Sequence, residues 1–196
     1  MSVYIIAACR LSIANRWRIW WEPRRQRFPA ESPYMHKTTP RPAPEWAVSQ
    51  WLNSDRPLSV QALQGRVVVA AAFQMLCPGC VARTIPQLRE AHRLFPADEV
   101  AVVGLHTVFE HQAAMGVTAL KAFVHGYQIE FPVGVDRPGD DADPVPTTMR
   151  RYSMQGTPTL LLIDREGRLR RQTFGHIPDL QLGAEIMALM REAADA

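Results

Sequence analysis

Two cysteines, Cys77 and Cys80, stand two residues apart in FQMLCPGCVART (73–84), directly after an apolar run. A pair at this spacing can exchange electrons with a disulfide, hold a metal ion, or close an inert cross-link. The flanking residues separate these chemistries. RVVVAAAF (66–73) is a short, continuous apolar run, as expected of a strand buried on both faces. Pro78 suits the first turn of a helix, because its missing N–H would have no partner there. Cys77 is therefore predicted at or just before a helix N-terminus, where unpaired amides and the positive dipole end favour a thiolate. Cys80 lies one turn further on, within reach of Cys77. The spacing thus assigns Cys77 as the exposed attacking thiolate and Cys80 as the more buried resolving thiol. A structural disulfide or two inert thiols is the competing reading, and Pro and Gly between the cysteines at a strand-to-helix junction weigh against it.

Other residues could join this site. His106 follows the apolar strand VAVVGL, and parallel strands end at one sheet edge, so His106 is expected to face the cysteines, with Glu110 and His111 close by in HTVFEH. His106 or Glu110 is a candidate proton acceptor. Cys77, Cys80, His106 and His111 also carry the atoms for tetrahedral zinc, although a zinc finger normally has a shorter gap between its halves. No metal and no organic cofactor is expected. The acidic stretch DRPGDDAD (136–143) lacks the closing Glu of a calcium loop and reads as a solvated loop. Trp46 and Trp51 read as packing residues. His92 should be half-exposed, and His125 and His176 follow no pattern.

The elements that must position the cysteines alternate in type. Val81, Ile85 and Leu88 recur at helical spacing, predicting a helix over 78–95 that Pro86 should kink. EVAVVGLHTVF (99–109) begins as a second buried strand, parallel to the first because a helix separates them. Residues 110–127 look helical, FPVGVD (131–136) is a short strand, 137–146 a loop, and 147–154 a helical turn or two. TPTLLLI (157–163) and RLRRQTF (168–174) form a hairpin in which Gly167 is free to take positive φ. Leu180 to Arg191 closes the chain as a helix. Strands alternating with helices, then a hairpin and helix, predict an α/β sandwich with a mixed sheet.

The chain has 196 residues, 47 % hydrophobic and 21 % charged, as in an ordinary globular protein. Residues 1–44 hold 8 of the 22 Lys and Arg and 2 of the 19 Asp and Glu, a balance of +6, which leaves 45–196 at −3. The folded part therefore gives no reason to expect nucleic acid. Three cysteines are too few for a disulfide framework, and Cys9 is left over. VYIIAAC is too short and lacks a preceding basic residue, so it does not read as a signal. Residues 1–43 form a basic, Pro-rich leader, and prolines 40, 42 and 44 describe a linker at its junction with the domain. Its Arg and Trp residues could touch a membrane surface, but the preferred reading is a start codon placed too early, with translation beginning at Met35. Residues 44–196 are the domain. A cytoplasmic location is expected, since a reduced cysteine pair suits catalysis there.

With these residues in view, the chain resembles the thioredoxin superfamily, and more closely the TlpA-like thiol–disulfide oxidoreductases that border the peroxiredoxins (the redoxin, or AhpC/TSA-like, group). VVVAAAFQMLCPGC matches the family's strand and CxxC, Pro86 stands six residues beyond the second cysteine, and YSMQGTPTLLLIDREGRL (152–169) and APEWAVSQWLN (43–53) match further segments. The resemblance implies a thioredoxin-like three-layer sandwich with an extra strand and helix in about 110–154. It also implies a cleft lined by Pro78, Gly79, Thr157 and Pro158. Pro158 would be cis, and Thr157 would offer backbone groups to an incoming disulfide. The function implied is disulfide exchange with protein or small-molecule thiols and a separate redox partner. Two departures stand out: Ala71 replaces a buried carboxylate, and Leu76 replaces a common tryptophan. A peroxiredoxin-like peroxidase is the nearest alternative. Its motif would place Thr three residues before Cys77, where this chain has Gln74, although Arg150 and Arg151 could favour a thiolate.

Overall fold

The computed structural model describes residues 39–140 and 144–192. The leader expectations for 1–38, Cys9 among them, lie outside these residues. Seven strands form one mixed sheet in the order β1-β7-β6-β3-β4-β5-β2. The strands are β1 Arg41–Pro42, β2 Val48–Leu52, β3 Val67–Phe73, β4 Val100–His106, β5 Val133–Asp136, β6 Thr159–Ile163 and β7 Arg168–Phe174. The helices are α1 Ile85–Leu94, α2 Val117–Gly126, α3 Thr147–Arg151 and α4 Asp179–Arg191. This is the α/β sandwich expected, with β3, β4 and β5 parallel and β6 and β7 antiparallel.

Every residue of β3 and of β4 is buried, which is why both read as unbroken apolar runs. Alternation along β3 splits the core into two layers. Val67, Val69, Ala71 and Phe73 face Cys80, Leu88, Leu120 and Ile186, so α1, α2 and α4 cover one side. Val68, Ala70 and Ala72 face Trp46, Leu63, Met149 and Tyr152 on the other. Gly104, the β4 residue level with Ala71, is required by packing: a Cβ there would meet Phe73 and Phe131 ring carbons at 3.1 Å.

The helix after the cysteines departs from regular geometry at Pro86. A π-type turn, Cys80–Thr84, runs into α1, and the Ile85 N–H bonds the Cys80 carbonyl five residues back. Pro86 has no N–H to give the carbonyl four residues before it, so the widened turn takes up the mismatch. The segment expected to be helical over 110–127 is helical from Val117 only, after a turn of 3-10 helix at Gln112–Ala114.

Two expectations need correction. Prolines 40, 42 and 44 do not mark a linker throughout: Arg41 and Pro42 pair antiparallel with Leu169 and Arg168, and the Ala43 N–H donates to the Gly167 carbonyl. An edge strand tolerates proline because only one side needs partners. Asp136, read as part of a solvated loop, is buried. Its carboxylate accepts the Thr148 and Met149 N–H groups and the Thr107 hydroxyl, tying α3 to the ends of β4 and β5. Burial raises its pKa, against the pull of those bonds.

Candidate active site

Cys77 sits where β3 gives way to helix. Its carbonyl accepts the Val81 N–H, the first helical bond, so Cys77 is the N-cap residue with Pro78 at the first helical position. Its sulfur acts as the cap: the Cys80 N–H donates to Cys77 Sγ at 3.3 Å. The two sulfurs lie 2.6 Å apart as free cysteines. Cys77 is half-buried, whereas Cys80 is fully enclosed. Burial first, then the hydrogen bond with Cys77, pushes the Cys80 thiol up to about 12. The asymmetry expected between the two thiols is thus present in their surroundings.

Opposite them lies the loop before β6. The Thr157–Pro158 bond is cis, and the Cys77 thiol donates to the Thr157 carbonyl at 3.5 Å. The Pro158 ring is buried against the cysteine turn; a Cβ on Gly79 would stand 3.6 Å from Pro158 Cδ. Pro78 and Thr157 line a cleft of about 390 Å³ over Cys77, together with Gln74, Leu76, Phe109, Glu110, His111, Met115 and Phe174. Leu76 and Phe174 are 58 % and 55 % exposed, so the cleft carries two exposed apolar side chains beside the exposed Glu110 and His111.

The other candidates separate. Glu110 and His111 reach the cleft; His106 does not line it. His106 is buried beneath with its ring against Phe73, and burial lowers its pKa to about 4. An imidazole held that low is a weak acceptor for the proton of Cys80. Among the described residues no group of three or more His, Cys, Asp or Glu is arranged to hold a metal ion, so Cys77, Cys80, His106 and His111 are not brought together as a zinc site. Arg151 extends to the Glu45 carbonyl, and neither it nor Arg150 lines the cleft. Trp46 and Trp51 pack against each other with ring centroids 6.1 Å apart. No described helix is long and apolar enough to cross a membrane.

Residues 40–172 match the model of the AhpC/TSA family. The chain belongs to that family. This AhpC/TSA chain is similar to a solved thioredoxin-like superfamily protein at 55 % identity, covering 78 % of this chain and 98 % of the other with a TM-score of 0.76. It is also similar to a thiol-disulfide isomerase from Corynebacterium glutamicum, at 43 % identity over 77 % of this chain and 98 % of that one, TM-score 0.73. A thioredoxin-like protein solved in its oxidized form shares the fold at 19 % identity, with coverage of 79 % and 98 % and a TM-score of 0.64. A search of the curated proteins gave no match. The thioredoxin-like fold and the redoxin membership are those the CxxC and Thr-Pro segments resembled, and thiol–disulfide oxidoreductase chemistry in general agrees with both.

Sequence reasoning passed over Phe109, Met115 and Phe174 as cleft residues, and used Gln74 only as a missing threonine. Phe174 ends the second hairpin strand beside Thr159, its partner in register. Pairing the hairpin from its Gly167 turn would have brought Phe174 to the Thr157 loop.

Proposed function

We propose that the protein is a thiol–disulfide oxidoreductase that works through Cys77 and Cys80. Cys77 as thiolate attacks one sulfur of a substrate disulfide; a Cys77–substrate bond forms and the other substrate sulfur leaves as a thiolate that takes up a proton. Cys80 then loses its proton and attacks Cys77 Sγ, which releases the second substrate thiol and leaves a Cys77–Cys80 disulfide. Two electrons and two protons pass from the pair to the substrate, and the reverse sequence oxidises a substrate dithiol. A separate redox partner resets the pair.

The observation that carries this reading is the capped pair itself: an accessible sulfur at a helix N-terminus, a buried one 2.6 Å away, and the Cys80 amide directed at the attacking atom. Pro78 and Thr157 line the substrate side, and Gly79 and Pro158 pack together beside them. The exposed apolar side chains of Leu76 and Phe174, next to the polar Glu110 and His111, suit the mixed surface of a polypeptide. The related isomerase supports the same chemistry.

The test is equilibration of the Cys77–Cys80 pair in glutathione buffers, with bound zinc assayed on the same sample. A reversible two-electron couple without metal is the expected result. Near −270 mV the pair would serve as a reductant, and near −120 mV as an oxidant. Stoichiometric zinc that protects both thiols from alkylation would overturn the reading. So would rapid peroxide turnover with no disulfide exchange, the behaviour of a peroxidase.

A further inference from the structure

The segment after β4 makes one wall of the cleft over Cys77, and it is tied down at several points. The Thr107 N–H donates to the Phe73 carbonyl at 3.0 Å. The Phe109 N–H donates to the side-chain oxygen of Gln74 at 3.4 Å. Gln74 is buried, and its amide nitrogen reaches Thr157 Oγ1 on the opposite wall, also at 3.4 Å. His111 turns the chain back through a left-handed conformation, φ 48° and ψ 40°. The Ala114 N–H then closes on the His111 carbonyl at 2.9 Å, and Met115 anchors the far end in the core. Glu110 stands exposed between these ties. The backbone that carries it has a fixed place while its carboxylate meets solvent over the cleft.

Among the described residues that line this cleft, Glu110 is the one carboxylate, and no arginine or lysine accompanies it. No described residue hydrogen-bonds or ion-pairs with it. A carboxylate left without a counter-charge in a cleft attracts cations and repels anions, and apolar neighbours such as Leu76, Phe109 and Phe174 screen that field less than open water would. An arginine or lysine offers both halves of what this surface can take: an aliphatic stem for the apolar side chains and a positive head for the carboxylate. A disulfide flanked by carboxylates would bring like charge against Glu110.

We propose that Glu110 is a specificity-determining residue: it directs Cys77 towards polypeptide disulfides that carry an arginine or lysine beside the cysteine, and away from acidic ones. This rests on the reading of Cys77 and Cys80 as an exchanging pair, and it names the class of disulfide that the pair takes.

The test uses two disulfide-linked peptides that are identical except that Arg or Glu follows the cysteine. Each is mixed with the reduced full-length protein, and the rate of peptide-thiol release is followed by quenched-flow chromatography. The readout is the ratio of the two rates, Arg over Glu, because any general effect on Cys77 cancels in it. At low salt the ratio should be about twofold to tenfold higher in wild type than in Glu110→Gln, the combined worth of one surface attraction and one surface repulsion. Glu110→Lys should lower it further still. The difference between wild type and Glu110→Gln should shrink in about 0.5 M sodium chloride, where charges this exposed are screened. A ratio in Glu110→Gln less than twofold below wild type would overturn the proposal, since any preference would then come from the thiolate or the peptides. A difference that salt leaves untouched, or a Glu110→Lys ratio no lower than that of Glu110→Gln, would overturn it too. The two readings fail differently. If neither peptide oxidises the Cys77–Cys80 pair, the exchange reading falls and takes this inference with it; if both do so with a ratio that Glu110→Gln leaves unchanged, only the role of Glu110 falls.

Discussion

His106 lies against Phe73 with the ring centroids 5.4 Å apart, and its Nε2 has no hydrogen-bond partner among the described residues. A neutral imidazole can remain in that position; an imidazolium would be buried without a counter-charge. Burial lowers its pKa to about 4 in the folded protein, against about 6.5 in an unfolded chain. The unfolded state therefore binds the proton first as pH falls. The stability linked to His106 is complete above pH ~6.5 and is lost progressively down to about pH 4, up to about 3 kcal/mol. Urea unfolding at pH 7 and pH 4.5 should show this loss in wild type and a smaller one in His106→Phe. Equal losses in the two proteins would disprove it. Exchange kinetics of His106→Ala over pH 5–8 bear on its other suggested role: unchanged rates would remove it as a proton acceptor.

The unequal burial of the two thiols leads to a chemical asymmetry. At neutral pH iodoacetamide should label Cys77 of the reduced protein at least tenfold faster than Cys80, whose thiol burial holds near 12. Cys77→Ser should abolish exchange, whereas Cys80→Ser should stall it as a mixed disulfide visible by mass spectrometry. Preferential labelling of Cys80 would reverse the assigned roles.

Leu76 and Phe174 are each more than half exposed, so polar replacements should leave stability within about 0.5 kcal/mol. Their effect should appear in substrate binding. Leu76→Ser and Phe174→Ser should raise KM for a polypeptide disulfide severalfold and leave reduction of the oxidised pair by dithiothreitol unchanged. Parallel losses on both substrates would mean that the rim serves the chemistry rather than recognition.

Arg171 on β7 is joined to Glu185 on α4 by two hydrogen bonds, one of them Nη2 to Oε1 at 2.7 Å, and both side chains are almost wholly buried. Removing one partner takes away the other's buried counter-charge, although Arg171 keeps Thr173 and Glu185 keeps Gln181 as hydrogen-bond partners. Glu185→Leu alone should cost about 3–5 kcal/mol, whereas Arg171→Met with Glu185→Leu should recover most of that loss. Denaturant midpoints of the three proteins decide it; a double variant as unstable as the single would show that the pair adds net stability of its own.

Much of the frame was legible because its signals are local. β3 and β4 are buried on both faces and read as apolar runs, and Pro78 marks the helix start on which Cys77 depends. The cis Thr157–Pro158 bond was accessible only through resemblance, since nothing local to TPTLLLI distinguishes the isomers. The remainder was hidden by distance along the chain. Gln74 is 83 residues from Thr157 and 35 from Phe109, and no periodicity links them. Asp136 is polar and stands among other acidic residues, so it reads as solvated until the N–H groups of Thr148 and Met149 are seen to need it. The π-type turn was anticipated only as a kink, because Pro86 dictates which bond is missing and not how the turn adapts.

β1 is two residues long, and its consequence reaches beyond the fold. β7 would otherwise be the last strand of the sheet, with the backbone of Arg168 and Leu169 open to any extended segment. Arg41 and Pro42 occupy that border, and a proline offers no N–H through which another chain could continue the ladder. A shortened protein beginning at residue 45 would keep both cysteines and the whole cleft. It would also carry an uncapped β7, and it should self-associate at concentrations where the full chain stays dispersed.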